Sequence, residues 1–225
     1  MRLTRLHGAV VFMIALIATA AAQAGDGAYA TGKYPNVLNE QLGIPTAAVR
    51  RRIDSTFHKL FYGDDEVERV YYPVGRTRAY VLDVANKDVR TEGMSYGMMI
   101  AVQMDRKVEF DRLWTWAKTF MQMREGPHTG YFAWHCNIDG TVLDSTAASD
   151  GEIWFVTSLY FASARWGEGS GIYAYRAEAD RILGTMMHKE EEPGHGNVTN
   201  MFDATTRLVA FVPDAGANMF TDPSY

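Results

Sequence analysis

Apolar residues recur at intervals of three and four along much of the chain, the period at which side chains share one face of an α-helix. Over residues 45–62 the repeat is carried by Val49, Ile53, Phe57, Leu60 and Phe61, with Pro45 placed to open a helix and Gly63 to close it. A second helix is predicted over residues 91–104 from Met94, Met98 and Val102, with Thr91 as its N-cap. A third follows with Phe110, Leu113, Trp114, Ala117 and Met121 on one stripe. Residues 150–165 read differently, because Ile153, Trp154, Phe155, Val156, Leu159, Tyr160 and Phe161 surround the segment almost completely. Such a helix is expected to be buried on most sides. A fifth helix, over residues 173–188, is amphipathic again, with Ile182, Leu183 and Met186 opposed by Arg176, Glu178 and Asp180.

Between the helices, residues 71–84, 130–143 and 200–213 have strand or turn character, and Asp139-Gly140 between apolar flanks predicts a short hairpin. No low-complexity linker or internal repeat divides the chain, so one domain is expected. Alternation of a buried helix with an amphipathic one is what a toroid of inner and outer helices produces, and loops at one end of such a toroid can hold a cleft.

The first residues change the compartment. Arg2 and Arg5 precede an apolar run over residues 9–22, and Ala22-Gln23-Ala24 supplies small residues for cleavage. This is the pattern of a secretory signal peptide over residues 1–24, too short for a membrane span, and it predicts a secreted or periplasmic protein whose domain occupies residues 25–225. The single cysteine, Cys136, cannot form an internal disulfide, and nothing near it in sequence supplies a base to make it a nucleophile. A net charge of −5 argues against a nucleic-acid partner. The one basic cluster, Arg50-Arg51-Arg52, reads as the solvated side of the first predicted helix. Five tryptophans and 12 % aromatic residues suit a protein that stacks rings on sugars, and equally suit a large helical core.

Two helix starts carry candidate chemistry. In Thr91-Glu92-Gly93-Met94-Ser95-Tyr96-Gly97 a carboxylate occupies the first turn beside two glycines, which are unfavourable in a helix interior unless something approaches the backbone closely. In Ala148-Ser149-Asp150-Gly151-Glu152 acidic residues open the most apolar helix. The plainer account of both is capping and the helix dipole. Two such openings together suit glycoside hydrolysis, in which one carboxylic acid protonates the leaving oxygen and a second carboxylate activates water. His135, Cys136, His188 and His195 show none of the spacings of a metal site, and neither metal nor cofactor is expected. Asn197-Val198-Thr199 has the form of a glycosylation sequon.

Four blocks, in order, resemble glycoside hydrolase family 8. They are Thr91 to Gly97 as above; Gly130-Tyr131-Phe132-Ala133-Trp134; Ala148 to Glu152, running on to Ala164-Arg165-Trp166-Gly167; and Thr221-Asp222-Pro223-Ser224-Tyr225. Within the family their wording is most similar to the reducing-end xylose-releasing exo-oligoxylanases. The resemblance covers nearly all of residues 25–225 and implies an all-α fold, the (α/α)6 barrel of six-hairpin glycosidases, that cuts β-1,4-linked xylo-oligosaccharides with inversion. It makes Glu92 the proton donor and Asp150 the residue that holds the sugar at the −1 subsite and keeps it distorted. Tyr225 matches the tyrosine that helps hold the nucleophilic water, with Asp222 beside it in the −1 pocket. Trp134 lies where an aromatic platform stacks on sugar, and Tyr96 is a further substrate-binding candidate.

Two departures qualify that reading. Glu152 stands where the wider family often has aspartate, and family members continue well beyond the Asp-Pro-Ser-Tyr block, with their general base in the continuation. The five predicted helices are fewer than a double ring of six pairs requires, so the chain is expected to be roughly the first half of the barrel and to lack turnover by itself. The partner expected is a xylo-oligosaccharide or related β-1,4-glycan, with no nucleic acid and no membrane, and the full-length protein is expected to be a monomer. The alternatives are an endo-acting xylanase, cellulase or chitosanase of the same family, and a non-catalytic sugar-binding barrel.

Overall fold

All five helices expected from the three-and-four spacing form. The computed structural model describes residues 33–217, in two units that divide between Arg52 and Ile53. Within the first unit a short helix the pattern did not show, α1 (Val37–Leu42), is capped at both ends: Asn36 accepts from the Asn39 amide through Oδ1 at 3.2 Å, and Gly43 closes it in the left-handed region at φ 67°. Helix α2 (Thr46–Tyr62) starts directly after Pro45 and runs across the division. Gly63 ends it by donating to the Lys59 carbonyl at 3.0 Å.

In the second unit, β1 (Tyr71–Val74) and β2 (Arg78–Val81) pair antiparallel as a hairpin. Strand β3 (Val89–Arg90) leads straight into α3 (Thr91–Gln103), and α4 (Lys107–Trp116) continues as a π-helical turn, Ala117–Met121. The hairpin predicted at Asp139-Gly140 joins β4 (His135–Cys136) to β5 (Val142–Asp144), and with β3 these make a three-stranded antiparallel sheet. Gly140 is required there twice over. Its φ is +91°, and a Cβ on it would strike the Phe120 ring. Helix α5 (Ser149–Trp166) and α6 (Tyr175–His188) complete the set. Residues 200–213 form no strand, only the isolated bridge between Phe202 and Val209.

Helix α3 packs on α4 and α5, and α6 packs on α5 and reaches α4 through the Tyr175 hydroxyl, which donates to Asp111 at 2.5 Å. Their shared core is built from Met94 and Met98 of α3, Leu113 and Trp114 of α4, Phe155 and Leu159 of α5, and Ile182 of α6, with Phe132 reaching in from the loop. The Phe132 and Phe155 rings lie 5.0 Å apart and each meets Trp114 within 6 Å. Burying a side chain such as Phe132 or Phe155 contributes about 1.5–3 kcal/mol.

Helix α5 is buried on most sides, as expected, but one edge is open: Phe161 is 49 % exposed, and Tyr96 and Ile100 of α3 are also exposed. The two helices share this side, since Tyr96 meets Trp154 edge-on at 5.7 Å and a groove lies between Gln103 and Phe161. An apolar stripe reveals that a helix face is unsuited to water, but not whether anything covers it. No helix among the described residues is long and apolar enough to cross a membrane.

Candidate active site

The starts of α3 and α5 come together, and with them the two candidate carboxylates. Thr91 is the first helical residue of α3 and not its N-cap; Arg90 holds that position, in extended conformation and with no side-chain cap. The strand fixes this geometry, because the Thr91 amide donates to the Trp134 carbonyl at 3.0 Å and so carries the pairing of β3 one step past its end. Glu92 follows on the first turn, half-buried, with the Thr91 hydroxyl donating to its Oε2 at 3.3 Å.

Burial lifts the Glu92 carboxyl above the ordinary glutamate range, and the negative charge of Asp150 adds to the rise. Its own backbone amide, the Thr91 hydroxyl and the Arg90 guanidinium pull the other way without cancelling it. The positive end of the helix dipole also favours the charged form. Water exclusion therefore wins over a helix terminus that by itself makes an acid stronger, and the product is a carboxyl inclined to keep its proton. Asp150 sits one residue into α5, 9 % exposed, with Oδ1 accepting from the Gly151 amide at 2.8 Å.

Close contact explains the glycines. A Cβ on Gly151 would lie 2.4 Å from both Cβ and Oγ1 of Thr91, so only glycine lets the two helix starts meet. Gly93 and Gly97 also admit a close neighbour, but it comes from behind: Val81 of β2 packs against both. The backbone approach that these glycines imply is therefore made by the protein's own core.

Trp134 is half-buried and held on several sides. The Arg90 guanidinium lies 5.3 Å over its ring, the His135 ring is 4.8 Å away, and the indole neighbours Asp144, whose carboxyl is held below its usual range chiefly by the Thr146 amide. Arg90 and His135 share a buried anchor. Asp88 accepts from Arg90 at 3.1 and 3.3 Å and pairs with His135 Nε2 at 2.7 Å, while Asp83 meets Arg90 at 3.2 Å. Tyr96, four residues beyond Glu92, is on the same side of α3 and 40 % exposed. Asp222 and Tyr225 lie outside the described residues.

Sequence reasoning missed Asp83, Asp88, Arg90 and the inward role of Glu152. The spacing Asp88-Val89-Arg90 puts acid and base on one side of a strand and was a usable signal. Burial of Glu152 was not readable, because an acid at a helix start is ordinarily solvated. Glu152 is fully buried, with Oε1 accepting from the Phe132 amide at 2.6 Å, and burial pushes its pKa up to about 8.

The histidines and the cysteine are dispersed. His135 pairs with Asp88, His188 with Glu191, and His195 with the Val198 carbonyl, while Cys136 is buried and burial lifts its thiol to about 11. Among the described residues no group of three or more His, Cys, Asp or Glu is arranged to hold a metal ion.

Residues 75–200 match the family profile described as glycosyl hydrolases family 8. The reducing-end xylose-releasing exo-oligoxylanase Rex8A of Paenibacillus barcinonensis is 49 % identical over 201 residues, which is 89 % of this chain and 51 % of that protein. A reducing end xylose-releasing exo-oligoxylanase of Halalkalibacterium halodurans is 45 % identical over 202 residues, 89 % of this chain and 50 % of its own length. The structure of Rex8A complexed with xylose superposes with a TM-score of 0.78 over 84 % of this chain and 48 % of that one. The chain thus spans about half the length of the curated relatives it matches. Its helix-rich fold is that of the (α/α)6 barrel proteins of the family over the shared part.

Proposed function

The chain belongs to glycosyl hydrolases family 8, and on that premise we propose that the whole protein hydrolyses β-1,4 bonds of xylo-oligosaccharides with inversion, releasing xylose from the reducing end, with Glu92 as proton donor. The observation that carries the reading is the Glu92 carboxyl itself. It is half-buried at the start of α3, raised in pKa by burial and by Asp150, and so inclined to hold the proton that a leaving glycosidic oxygen must receive. Relatives named for reducing-end xylose release support the substrate class.

In this reading Asp150 holds the sugar on the glycone side of the scissile bond, Trp134 offers ring surface to a neighbouring sugar, and Tyr96 borders the same space. Asp222 and Tyr225 complete the −1 pocket, with the tyrosine helping to hold the attacking water. Residues 1–24 direct export, so the exported protein is expected to begin at Gly25, which mass spectrometry of its N-terminus checks.

The test is xylotriose carrying 13C at its reducing-end C1. The whole protein is expected to release labelled xylose and unlabelled xylobiose, with the xylobiose appearing first as the α-anomer by NMR. Glu92→Gln is expected to lower turnover by about 10²–10⁴-fold while leaving sugar binding in place. Cleavage within long xylan or cellulose in preference to xylotriose would establish endo action instead. Binding without turnover in the whole protein would establish a sugar-binding barrel.

A further inference from the structure

Glu152 is expensive to keep. Its side chain is fully buried, Oε2 has no hydrogen-bond partner among the described residues, and no charged neighbour offsets its burial. Among the described residues its one polar contact is the Phe132 amide at 2.6 Å. That contact belongs to a closed circuit of three segments far apart in sequence. Glu152 of α5 holds the amide of Phe132; two residues on, the Trp134 carbonyl holds the amide of Thr91; and the Thr91 side chain fills the space left by the missing Cβ of Gly151, next to Glu152. Glu92 and Asp150 each neighbour a member of the circuit in sequence.

We propose that Glu152 is a positioning residue for the proton donor: by holding the Phe132 amide it seats residues 130–134 between the two helix starts and so sets Glu92 against Asp150. The inference rests on the reading of Glu92 as proton donor for its functional meaning, although the geometric coupling can be measured without substrate. Burial keeps Glu152 largely protonated at neutral pH, so what the Phe132 amide meets is a carbonyl oxygen. Glutamine reproduces that oxygen in the same place. Methionine fills a similar volume and offers no comparable acceptor.

The experiment uses the whole exported protein with 13C-carboxyl-labelled glutamate. The Glu92 resonance is assigned from Glu92→Gln and followed through a pH titration in wild type, Glu152→Gln and Glu152→Met. Glu152→Gln is expected to keep both the Glu92 titration midpoint and the slow hydrogen exchange of the Phe132 amide. Glu152→Met is expected to lose that protection and to move the Glu92 midpoint down toward the value of a solvated glutamate, as the helix starts part and water enters. A folded Glu152→Met with the wild-type Glu92 midpoint would overturn the proposal. If Glu152→Met does not fold, Glu152→Gln decides alone, because a displaced Glu92 midpoint there is equally fatal. A stabilising role alone would change the unfolding midpoint of the variants and leave the Glu92 titration where it was. Xylotriose turnover by the whole protein tests the donor role separately, so either reading can fail without the other.

Discussion

The side chain of Thr91 stands where Gly151 would carry its own: a Cβ on Gly151 would lie 2.4 Å from both Cβ and Oγ1 of Thr91. Cβ of Thr91 is fixed by its backbone and cannot swing aside, so a side chain there forces the two helices apart. Alanine improves helix propensity over glycine by about 1 kcal/mol at most, whereas overpacking costs typically 1–3 kcal/mol. Gly151→Ala is therefore expected to lower the urea unfolding midpoint and, in the whole protein, to reduce kcat. A variant as stable as wild type would show that the helix starts have room to spare.

Asp150 offers a test by charge. Its carboxylate adds to the rise of the Glu92 pKa, after burial, so Asp150→Asn is expected to bring the Glu92 titration down while leaving it above that of a solvated glutamate. A proton donor acts in its protonated form, so the proposed donor role of Glu92 predicts that the alkaline limb of the pH–rate profile of the whole protein moves to lower pH in the same variant. An unmoved Glu92 midpoint would mean that the two carboxyl groups do not sense each other.

A separate consequence concerns stability. Burial lifts Glu152 from 4.5 to about 8, so the folded chain keeps a proton that the unfolded chain releases. The contribution is fully present below the unfolded value and is lost as pH rises toward the folded one, at up to about 1.4 kcal/mol per pH unit. Glu152→Gln removes the titrating group, and its stability is expected to fall less than that of wild type between roughly pH 5 and 8 in urea melts. Parallel curves would place the Glu152 carboxyl in contact with water.

Cys136 gives a fourth, simpler check. Its thiol is buried and raised to about 11, so the native chain is expected to react with a thiol-specific disulfide reagent at pH 7 only as fast as it opens. The urea-unfolded chain reacts fully. Rapid labelling of the native chain would contradict the burial of β4.

How much of this was legible beforehand differs by element. The helices announced themselves because Phe110, Leu113, Trp114, Ala117 and Met121 each repeat the same surface requirement, and every one of them is buried. The Asp139-Gly140 turn was legible because few residues tolerate a positive φ. Helix α1 escaped notice because six residues are too few to show a period. At the site, Glu92 and Asp150 were found from their places at helix starts and from the resemblance of their blocks. Asp88 and Glu152 were not, because their roles depend on what lies across from them, His135 in one case and the Phe132 amide in the other. Local pattern reports which face a residue is on, while its partner is a product of the whole fold.

Val81 lies behind α3, against the bare backbone at Gly93 and Gly97, and its amide donates to the Met94 sulfur at 3.3 Å. The β1–β2 hairpin is thus a backstop for the helix that carries Glu92. Trimming or enlarging residue 81 would slide that helix forward or back, which gives protein engineers a way to shift the Glu92 carboxyl while leaving the side chains around it as they are.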